Sequence, residues 1–374
     1  MKFYLIDEIL PQVRQAVRDN PAMVLQAPPA SGKTTRVPPA LLDVIAPAQG
    51  KIIMLEPRRI AAVAAARWMA RLLGEEVGQT VGYSIRFDSR VSKKTRIEVV
   101  TEGILTRRIL ADPALEGTAM VIFDEFHERS LQADLALALC LDIRRGLRED
   151  LRLIVMSATL DGVSVASLLG GAPVLCAEGE SFPVAEHYRP DPPGRPLEER
   201  IAGAVRTALR ETAGDILVFL PGAGEIRRAA AALESVAGAQ GRGISIHPLY
   251  GDLPFAEQEQ AILPARERKV VLATNIAETS LTIEGVGAVI DSGLTRRLQY
   301  DPATGMDRLM TVAVSRAAAE QRKGRAGRLG PGVCYRLYSP HVFASLIPYA
   351  PPEILIADLA SLVLELAVWG VRDP

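Results

Sequence analysis

Short apolar runs alternate with longer segments of helical period along the first half of the chain. The runs are rich in Val, Ile, Leu and Met, whereas the segments between them, such as residues 60–73 and 131–147, are rich in Ala and Leu. Such alternation is typical of a parallel β-sheet covered by helices on both faces. We therefore predict buried strands at Ala22–Ala27, Lys51–Leu55, Arg96–Val100, Ala119–Phe123 and Leu151–Met156.

A passage rich in Gly and Pro, Gly170–Pro196, interrupts this rhythm and is interpreted as a domain joint. The alternation then resumes, so the pattern predicts two α/β domains, residues 1–178 and 179–350. One amphipathic segment follows, and residues 351–374 are interpreted as the start of a further helical or winged-helix module. The strands predicted in the second half are Asp215–Leu220, Ile244–Leu249, Lys269–Thr274, Gly287–Asp291 and Gly332–Leu337.

The composition is that of an ordinary globular chain, with 374 residues, 48% apolar and 23% charged. Because 43 Lys and Arg face 44 Asp and Glu, a uniformly basic nucleic-acid coat is excluded, but a local basic groove is not. The start of the chain carries Asp7 and Glu8, and the most apolar stretch, Leu355–Val368, carries two acids. We therefore expect a soluble protein without a signal peptide or a membrane span.

The cysteines are three and far apart, which fits neither a disulfide framework nor a Cys-rich metal or iron–sulfur site. A reducing compartment is the simplest setting, so we expect a cytoplasmic protein. The cysteines are Cys140, Cys176 and Cys334.

The first candidate site is a phosphate-binding loop between a strand and a helix. Backbone N–H groups and the helix dipole hold an anion in this geometry, so we expect cofactor contacts from Pro29, Ala30, Ser31, Gly32, Lys33, Thr34 and Thr35. Lys33 would neutralise the β- and γ-phosphates, and Thr34 would bind Mg²⁺. Ala27 replaces the first glycine of the strict pattern, which leaves an ordinary strand–turn–helix as the alternative.

The second candidate site lies at the end of the strand Ala119–Phe123, which runs into Asp124-Glu125-Phe126-His127. Two acids beside a phosphate loop suit hydrolysis of a Mg²⁺-bound NTP. Asp124 would hold the metal, and Glu125 would orient and deprotonate the attacking water. The alternative is an acidic strand-end turn, and His127 alone would be interpreted as a surface or hydrogen-bonding histidine.

Seven ordered motifs resemble the DEAH/RHA branch of superfamily 2 helicases across nearly the whole chain. The Asp-Glu-Phe-His variant, with Ala27-Pro28-Pro29 before the loop, is most similar to a bacterial group within that branch. The resemblance implies two RecA-like domains that bind NTP between them and a nucleic-acid strand across both. Besides the two sites above, the motifs are Glu56-Pro57-Arg58-Arg59, Thr101-Glu102-Gly103-Ile104-Leu105, Ser157-Ala158-Thr159, Ala273-Thr274-Asn275-Ile276-Ala277-Glu278-Thr279-Ser280-Leu281-Thr282-Ile283 and Gln321-Arg322-Lys323-Gly324-Arg325-Ala326-Gly327-Arg328.

The resemblance also implies roles for single residues. Gln321, Arg325 and Arg328 would contact the γ-phosphate, the arginines as fingers that stabilise transition-state charge. Without the resemblance, Arg316–Arg328 would be interpreted as a solvated basic helix. By the same resemblance, we expect His127 to be one of the catalytic residues.

Two further groups of residues are implied to couple the sites and to grip the strand. Ser157 and Thr159 would hydrogen-bond His127 and link the phosphate site to domain movement, although a Ser-x-Thr turn is an equally good interpretation of the pattern. The backbone contacts would come from Arg58, Arg59, Thr101, Thr274 and Asn275.

A β-hairpin is predicted at Leu294–Val312, where two β-prone arms flank a Pro/Gly turn. In the resembling family a hairpin at this place acts as a wedge at the duplex junction. An ordinary exposed hairpin is the alternative.

Together these features predict an ATP- and Mg²⁺-dependent RNA helicase or remodelling ATPase that moves 3′ to 5′ on a single strand. We expect a monomer. Other NTPs should also serve, because Leu263 stands where family members often carry a base-stacking aromatic residue. The alternatives are a DNA helicase of the same superfamily and a catalytically silent RNA-binding scaffold.

Overall fold

The computed structural model describes residues 4–29, 31–158, 162–177, 179, 182–190, 194–239, 243–279, 281–328 and 330–373. The chain divides into two compact units, which we term the first unit (Met1–Gly179 with Pro351–Pro374) and the second unit (Glu180–Ala350). The boundary at residue 179 falls inside the Gly- and Pro-rich passage. Both units are α/β.

The strands of the first unit are β1 (Ala22–Gln26), β2 (Lys51–Glu56), β3 (Val81–Ile85), β4 (Asp88–Arg90), β5 (Ile97–Thr101), β6 (Thr118–Phe123), β7 (Arg152–Ser157) and β8 (Val174–Cys176). Over the described residues they form one eight-stranded sheet in the order β4-β3-β5-β2-β6-β7-β1-β8. Every pairing is parallel except that of β3 with β4. The carboxyl ends of β1, β2, β5 and β6 therefore lie along one edge of the sheet.

Helices cover both faces of this sheet. They are α1 (Leu10–Asp19), α2 (Lys33–Ala40), α3 (Arg59–Leu72), α4 (Glu102–Ala111), α5 (Leu131–Gly146) and α6 (Gly162–Leu168). Alternate residues of each strand enter opposite cores: Met23 and Leu25 pack in one cluster, and Ala22 and Val24 in the other. Two-sided burial explains why the strand sequences are continuously apolar instead of alternating.

The second unit contains β9 (Val184–Tyr188), β10 (Asp215–Phe219), β11 (Ile244–Leu249), β12 (Arg268–Ala273), β13 (Val286–Asp291), β14 (Leu294–Asp301), β15 (Met306–Ala313) and β16 (Gly332–Arg336). In the described part of the chain its parallel sheet has six strands in the order β11-β12-β10-β13-β16-β9. The helices are α7 (Leu197–Glu211), α8 (Ala223–Ala239), α9 (Phe255–Ile262), α10 (Arg316–Gly324) and α11 (Pro340–Ser345).

The predicted hairpin is present. Strands β14 and β15 pair antiparallel, from Leu294 opposite Ala313 to Asp301 opposite Met306. Gly305 closes the turn with a left-handed φ of 65°, which suits glycine. Its role as a wedge stays a prediction.

The last segment of the chain packs on the first unit. Glu353 accepts a hydrogen bond from the backbone N–H of Leu131 at 2.7 Å, and Leu362 enters the core beside α5. Further on, α12 (Ala360–Trp369) ends with the Trp369 indole donating to Asp142 at 2.8 Å. Whether this segment begins a further module stays a prediction.

The predicted strands are all present, with ends that differ by at most one residue. Strands β3, β4, β8 and β9 were not expected. Three of them form sheet edges, and both β4 and β8 have three residues. Edge strands bury less apolar surface, so their sequences carry a weaker pattern. No helix among the described residues has the length and apolarity that a bilayer span requires.

Candidate nucleotide site and nucleic-acid contacts

The phosphate-binding loop joins the end of β1 to the start of α2. Gly32 precedes the helix with φ of 92°, a left-handed conformation that glycine adopts most easily. A Cβ atom there would lie 2.9 Å from Cβ of Tyr4, so the close packing also requires glycine. Of the other loop residues, Pro29 is exposed and Ser31 is buried, and Ala30 lies outside the described residues. Thr35 is half-buried, and its backbone N–H donates to the Gly32 carbonyl at 3.1 Å.

The loop meets the acidic end of β6. Lys33 Nζ donates to Glu125 Oε1 at 2.8 Å, and both side chains are buried. Beside this pair, the Thr34 hydroxyl donates to Asp124 Oδ2. The fold thus brings the two predicted halves of the nucleotide site together, although they are about 90 residues apart in sequence. We term the residues Lys33, Thr34, Asp124 and Glu125 the nucleotide corner.

Glu125 adopts a strained backbone conformation. Its φ and ψ of 51° and 32° lie in the left-handed region, which non-glycine residues seldom occupy. The conformation is held by a hydrogen bond of 2.8 Å from the Glu125 N–H to Asp124 Oδ1. Strain of this kind persists where the surroundings fix a side chain in place, and it is common at functional sites.

Buried charges in the nucleotide corner shift pKa values in a consistent direction. Burial alone would lower the pKa of Lys33, but the carboxylates of Glu125 and Asp124 outweigh it and raise that pKa. Burial also raises the pKa of Asp124, against the opposing charge of Lys33. In this corner, the charged form of Lys33 is therefore favoured, whereas burial disfavours the ionised form of Asp124.

His127 lies next to the corner, and its side chain is largely buried. Burial lowers its pKa, although the charges of Glu125 and Glu128 act in the opposite direction, so the ring is neutral at pH 7. Its Nδ1 is 3.4 Å from Glu125 Oε2, and within the described residues neither ring nitrogen has a hydrogen-bond partner. Ser157 ends β7 in a buried position, and Thr159 lies outside the described residues. The coupling role of Ser157 and Thr159 stays a prediction.

Three of the predicted nucleic-acid contacts lie in the first unit. Arg58 precedes α3 and forms a two-pronged ion pair with Glu128, with nitrogen–oxygen distances of 2.8 and 3.0 Å. Arg59 is exposed and donates to the Arg86 carbonyl at 3.3 Å. Thr101 ends β5 opposite Glu56 of β2, so these residues share the sheet edge that carries the nucleotide corner.

The other two predicted contacts lie in the second unit. Thr274 follows β12 and is half-buried, and Asn275 is exposed at the start of a short 3₁₀ turn. Their place at the carboxyl end of a parallel strand matches that of Thr101 in the first unit. All five nucleic-acid contacts stay predictions.

The predicted γ-phosphate contacts are on α10 and just beyond it. Arg325 is almost fully buried, and its Nε, Nη1 and Nη2 atoms donate to the carbonyls of Glu278, Leu281 and Thr279. Arg328 donates to the Thr282 hydroxyl at 3.0 Å, and Gln321 is half-buried on α10. Both arginines therefore bind the segment 278–282, and their finger role stays a prediction.

Comparison with known proteins agrees with this geometry. The family described as DEAD/DEAH box helicase matches residues 8–168, and the helicase conserved C-terminal domain matches residues 199–330. Over 98% of its length the chain is 49% identical to the ATP-dependent RNA helicase HrpB of Escherichia coli (strain K12). This chain belongs to the DEAD/DEAH box helicases.

Solved structures support the same assignment. A crystal structure of the Escherichia coli DEAH/RHA helicase HrpB superposes with a TM-score of 0.92 at 48% identity, over 99% of this chain and 47% of that one. A structure of the E. coli DExH-box NTPase HrpB gives a TM-score of 0.87 at 48% identity, over 100% of this chain and 46% of that one. The chain spans about half the length of these relatives. The predicted fold class, two tandem RecA-like domains, and the predicted resemblance to a bacterial DEAH/RHA group are confirmed.

The residues of the nucleotide corner fit a hydrated magnesium ion. Among the described residues, no group of three or more His, Cys, Asp or Glu side chains is arranged to hold a metal. Magnesium usually keeps several waters and takes one or two carboxylates together with substrate phosphates. The paired Thr34 hydroxyl and Asp124 carboxylate are suitable oxygen ligands for such an ion.

Two buried charged residues of this chain were not among the predicted site residues. Glu56 at the end of β2 is fully buried, and in the described structure neither of its carboxylate oxygens has a hydrogen-bond partner. Burial, with the nearby charges of Asp124 and Glu125, raises its pKa well above the ordinary range. The signal was available, because Glu56 is an acid at the carboxyl end of a buried strand, as Asp124 is.

The second missed residue is Arg322, which lies between the predicted contacts Gln321 and Arg325. It is fully buried and pairs with Glu278 and Asp291, both at 2.7 Å. Its guanidinium group also lies 4.9 Å from the centre of the Phe219 ring. These contacts make Arg322 a structural residue of the second unit.

Proposed function

We propose that this chain is the nucleotide-hydrolysing part of an ATP- and Mg²⁺-dependent RNA helicase or RNA-remodelling ATPase. The observation that carries the proposal is the buried corner in which Lys33 meets Glu125 and Thr34 meets Asp124. The relative HrpB, which is named an ATP-dependent RNA helicase, supports the choice of ATP and RNA.

In the proposed reaction, nucleotide phosphates compete with Glu125 for Lys33. Lys33 has a raised pKa and stays charged, so it can neutralise phosphate oxygens. Glu125, released from this ion pair, is then free to accept a proton from the attacking water. Its left-handed backbone fixes where the carboxylate lies. Bound Mg²⁺ would supply further positive charge for the phosphates.

The second unit would contribute charge stabilisation. Arg325 and Arg328, with Gln321, stay the proposed γ-phosphate contacts. To act as fingers, both arginines must exchange their present acceptors in the segment 278–282 for phosphate oxygens. Because those acceptors are neutral carbonyl and hydroxyl oxygens, a charged phosphate would compete well for the guanidinium groups.

The proposed grip on nucleic acid is independent of sequence. Arginine, threonine and asparagine side chains at strand ends suit phosphate and sugar contacts, which position a strand without reading its bases. We propose movement from 3′ to 5′, as the family resemblance implies. A DNA helicase and a silent RNA-binding scaffold are the outcomes that the experiment below must exclude.

The decisive experiment measures NTP hydrolysis with single-stranded RNA, with single-stranded DNA and without nucleic acid. RNA should stimulate the wild type most, and Glu125→Gln should reduce the rate by about 10²–10⁴-fold, the usual contribution of a general base. Glu149→Gln, which changes an exposed glutamate, is the matched control. Equal rates for wild type and Glu125→Gln would support the silent scaffold, and stronger stimulation by DNA would support the DNA helicase.

Two finer parts of the proposal need separate measurements. Duplexes with a single 3′ or 5′ overhang test direction, and only the 3′ overhang should support unwinding. Hydrolysis of ATP, GTP, CTP and UTP tests base discrimination, which should be weak because the aliphatic Leu263 is exposed at the expected base position.

Location and assembly complete the proposal. We propose a cytoplasmic location, because Cys140, Cys176 and Cys334 are all free thiols in this fold. We also propose that the protein is a monomer. Cell fractionation and light scattering of the purified protein test these two points.

A further inference from the structure

Glu56 is a buried acid whose carboxyl group has no hydrogen-bond partner among the described residues. The side chain has no exposed surface, and within the described residues neither carboxylate oxygen accepts a hydrogen bond. An unpartnered buried carboxylate is costly, so a native protein seldom retains one without a reason.

The fold shows elsewhere that it can satisfy a buried glutamate. Glu98 of β5 is also buried, and it accepts hydrogen bonds from Lys51 at 2.5 Å, from Arg108 at 2.7 and 3.0 Å, and from Ser84 at 2.7 Å. Burial alone would raise its pKa, but these donors lower it to about 2. Glu56 and Glu98 are therefore equally buried, but they differ in the hydrogen-bond donors around their carboxyl groups.

Position explains what Glu56 faces. The Asp124 N–H donates to the Leu55 carbonyl at 3.1 Å, which joins the ends of β2 and β6 and sets Glu56 beside Asp124. The charges that act on Glu56 are those of Asp124, Glu125, Lys33 and Glu128. Its carboxylate thus belongs to the nucleotide corner.

The charges of this corner do not balance. Among the described residues, three carboxyl groups, those of Asp124, Glu125 and Glu56, face one lysine, Lys33. His127 is neutral, and the nearby Arg58 is paired with Glu128. A divalent cation would supply the missing positive charge.

We propose that Glu56 is a positioning residue for the divalent cation of the bound nucleotide, and that its carboxylate accepts hydrogen bonds from the water ligands of that cation. The inference rests on the proposed Mg²⁺–nucleotide site and adds a residue to it. A role through water fits the absence, among the described residues, of a direct three-ligand cluster. Residues that orient metal ligands from behind typically change metal affinity ten- to a hundredfold, roughly, when they are replaced.

The test combines thermal unfolding with titration of Mg²⁺ at a fixed concentration of a non-hydrolysable ATP analogue. Without Mg²⁺ and nucleotide, Glu56→Gln should unfold at a temperature equal to or above that of the wild type, because it removes an unpaired buried acid. With the analogue, half-maximal stabilisation should require roughly tenfold more Mg²⁺ or greater.

Glu98→Gln is the matched control. It should unfold at a lower temperature than the wild type without ligand, because it weakens three satisfied ion and hydrogen-bond contacts. Its Mg²⁺ titration should match that of the wild type, because Glu98 is paired with Lys51 and Arg108 and not with the nucleotide corner.

The outcomes separate the two proposals. If nucleotide stabilised the wild type equally with and without Mg²⁺, the proposed cofactor would be wrong. If the wild type depended on Mg²⁺ and Glu56→Gln gave the same titration, only the assignment of Glu56 would fail. A ligand-free Glu56→Gln protein that unfolds earlier than the wild type would also overturn the assignment, since Glu56 would then have a stabilising partner.

Discussion

Two buried clusters of charged side chains, one in each unit, differ in whether the protein itself supplies the opposing charge. At the nucleotide corner, the described residues place one lysine, Lys33, beside Asp124, Glu125 and Glu56. In the second unit, the nitrogens of Arg322 lie within 2.7 Å of oxygens of Glu278 or Asp291. One cluster is left incomplete by the fold, and the other is completed by it.

The difference teaches how to separate binding residues from structural ones. Motif spacing alone presents Arg322 and Arg325 as equally good ligands for a phosphate. Partners distinguish them, because Arg322 is held by two carboxylates, whereas Arg325 is held by neutral carbonyls. An external anion can displace a neutral acceptor more readily than a buried carboxylate.

The largest expected effect comes from breaking the completed cluster. Arg322→Leu should lower the free energy of unfolding by about 3–5 kcal/mol, because it leaves Glu278 and Asp291 without their cation. Urea unfolding followed by circular dichroism measures the change. Arg227→Leu, at an exposed site of the same unit, should stay within about 0.5 kcal/mol of the wild type. Equal midpoints for the two variants would remove the contrast between the clusters.

An effect of intermediate size is expected at the ion pair of Arg58 with Glu128. Both charges of this pair are supplied by the protein, but solvent partly reaches the two side chains. If RNA phosphate competes with Glu128, Arg58→Gln should weaken binding of single-stranded RNA roughly tenfold, the loss of one charged hydrogen bond. Glu128→Gln should strengthen RNA binding roughly two- to fivefold, because an ion pair that solvent partly reaches contributes up to about 1 kcal/mol. Fluorescence anisotropy measures both.

Salt dependence supplies the control for that pair. Removing one phosphate contact should reduce the slope of log affinity against log salt by about 0.7 for a single strand. Arg18→Gln, on the exposed face of α1, should change neither the affinity nor the slope. Tighter binding by Arg58→Gln would show that Arg58 is a structural partner of Glu128 and no RNA contact.

The smallest effect concerns Glu102. In its hydrogen bonding, this residue is intermediate between Glu56 and Glu98, because its carboxylate accepts a hydrogen bond from the Ser130 hydroxyl at 2.6 Å. Burial raises its pKa to about 7, from an ordinary value of 4.5. The folded protein therefore binds an extra proton between these values, and stability from this group falls as pH rises from about 4.5 to 7. Glu102→Gln should remove that fall.

Thermal unfolding from pH 4.5 to 8 measures this effect. The advantage of Glu102→Gln over the wild type should be greatest above pH 7 and should shrink toward pH 4.5. Glu116→Gln, at an exposed site, should follow the wild type throughout. Parallel curves for wild type and Glu102→Gln would show that Glu102 titrates near its ordinary pKa.

Much of the fold could be predicted, because buried parallel strands and phosphate loops leave local signals. β1 and β6 are continuously apolar, and each runs directly into chemically distinctive residues. The strands β8 and β9 were missed because they are short or exposed, so that burial leaves little trace in their sequences. The contacts of residues 351–374 with the first unit could not be predicted, because they join residues far apart in the chain, such as Glu353 and Leu131.

The candidate site divides in the same way. Lys33, Thr34, Asp124 and Glu125 were predicted because their spacing is specific to nucleotide chemistry. The sequence could not show that Glu56 lacks a partner or that Arg322 has two, because those facts depend on side chains far apart in the chain. The 3.4 Å separation of His127 from Glu125 is likewise a product of tertiary packing.

By itself, the sequence determined the two α/β units, the phosphate loop and the acidic strand end, since these follow from local periodicity and from residues adjacent in the chain. Only the tertiary structure decided which buried charges are satisfied. Desolvation and pairing depend on neighbours contributed by separate strands and helices, so that Glu56 and Glu98 are chemically identical in the sequence and opposite in the fold. That difference makes one of them a structural residue and the other a candidate for binding the nucleotide's cation.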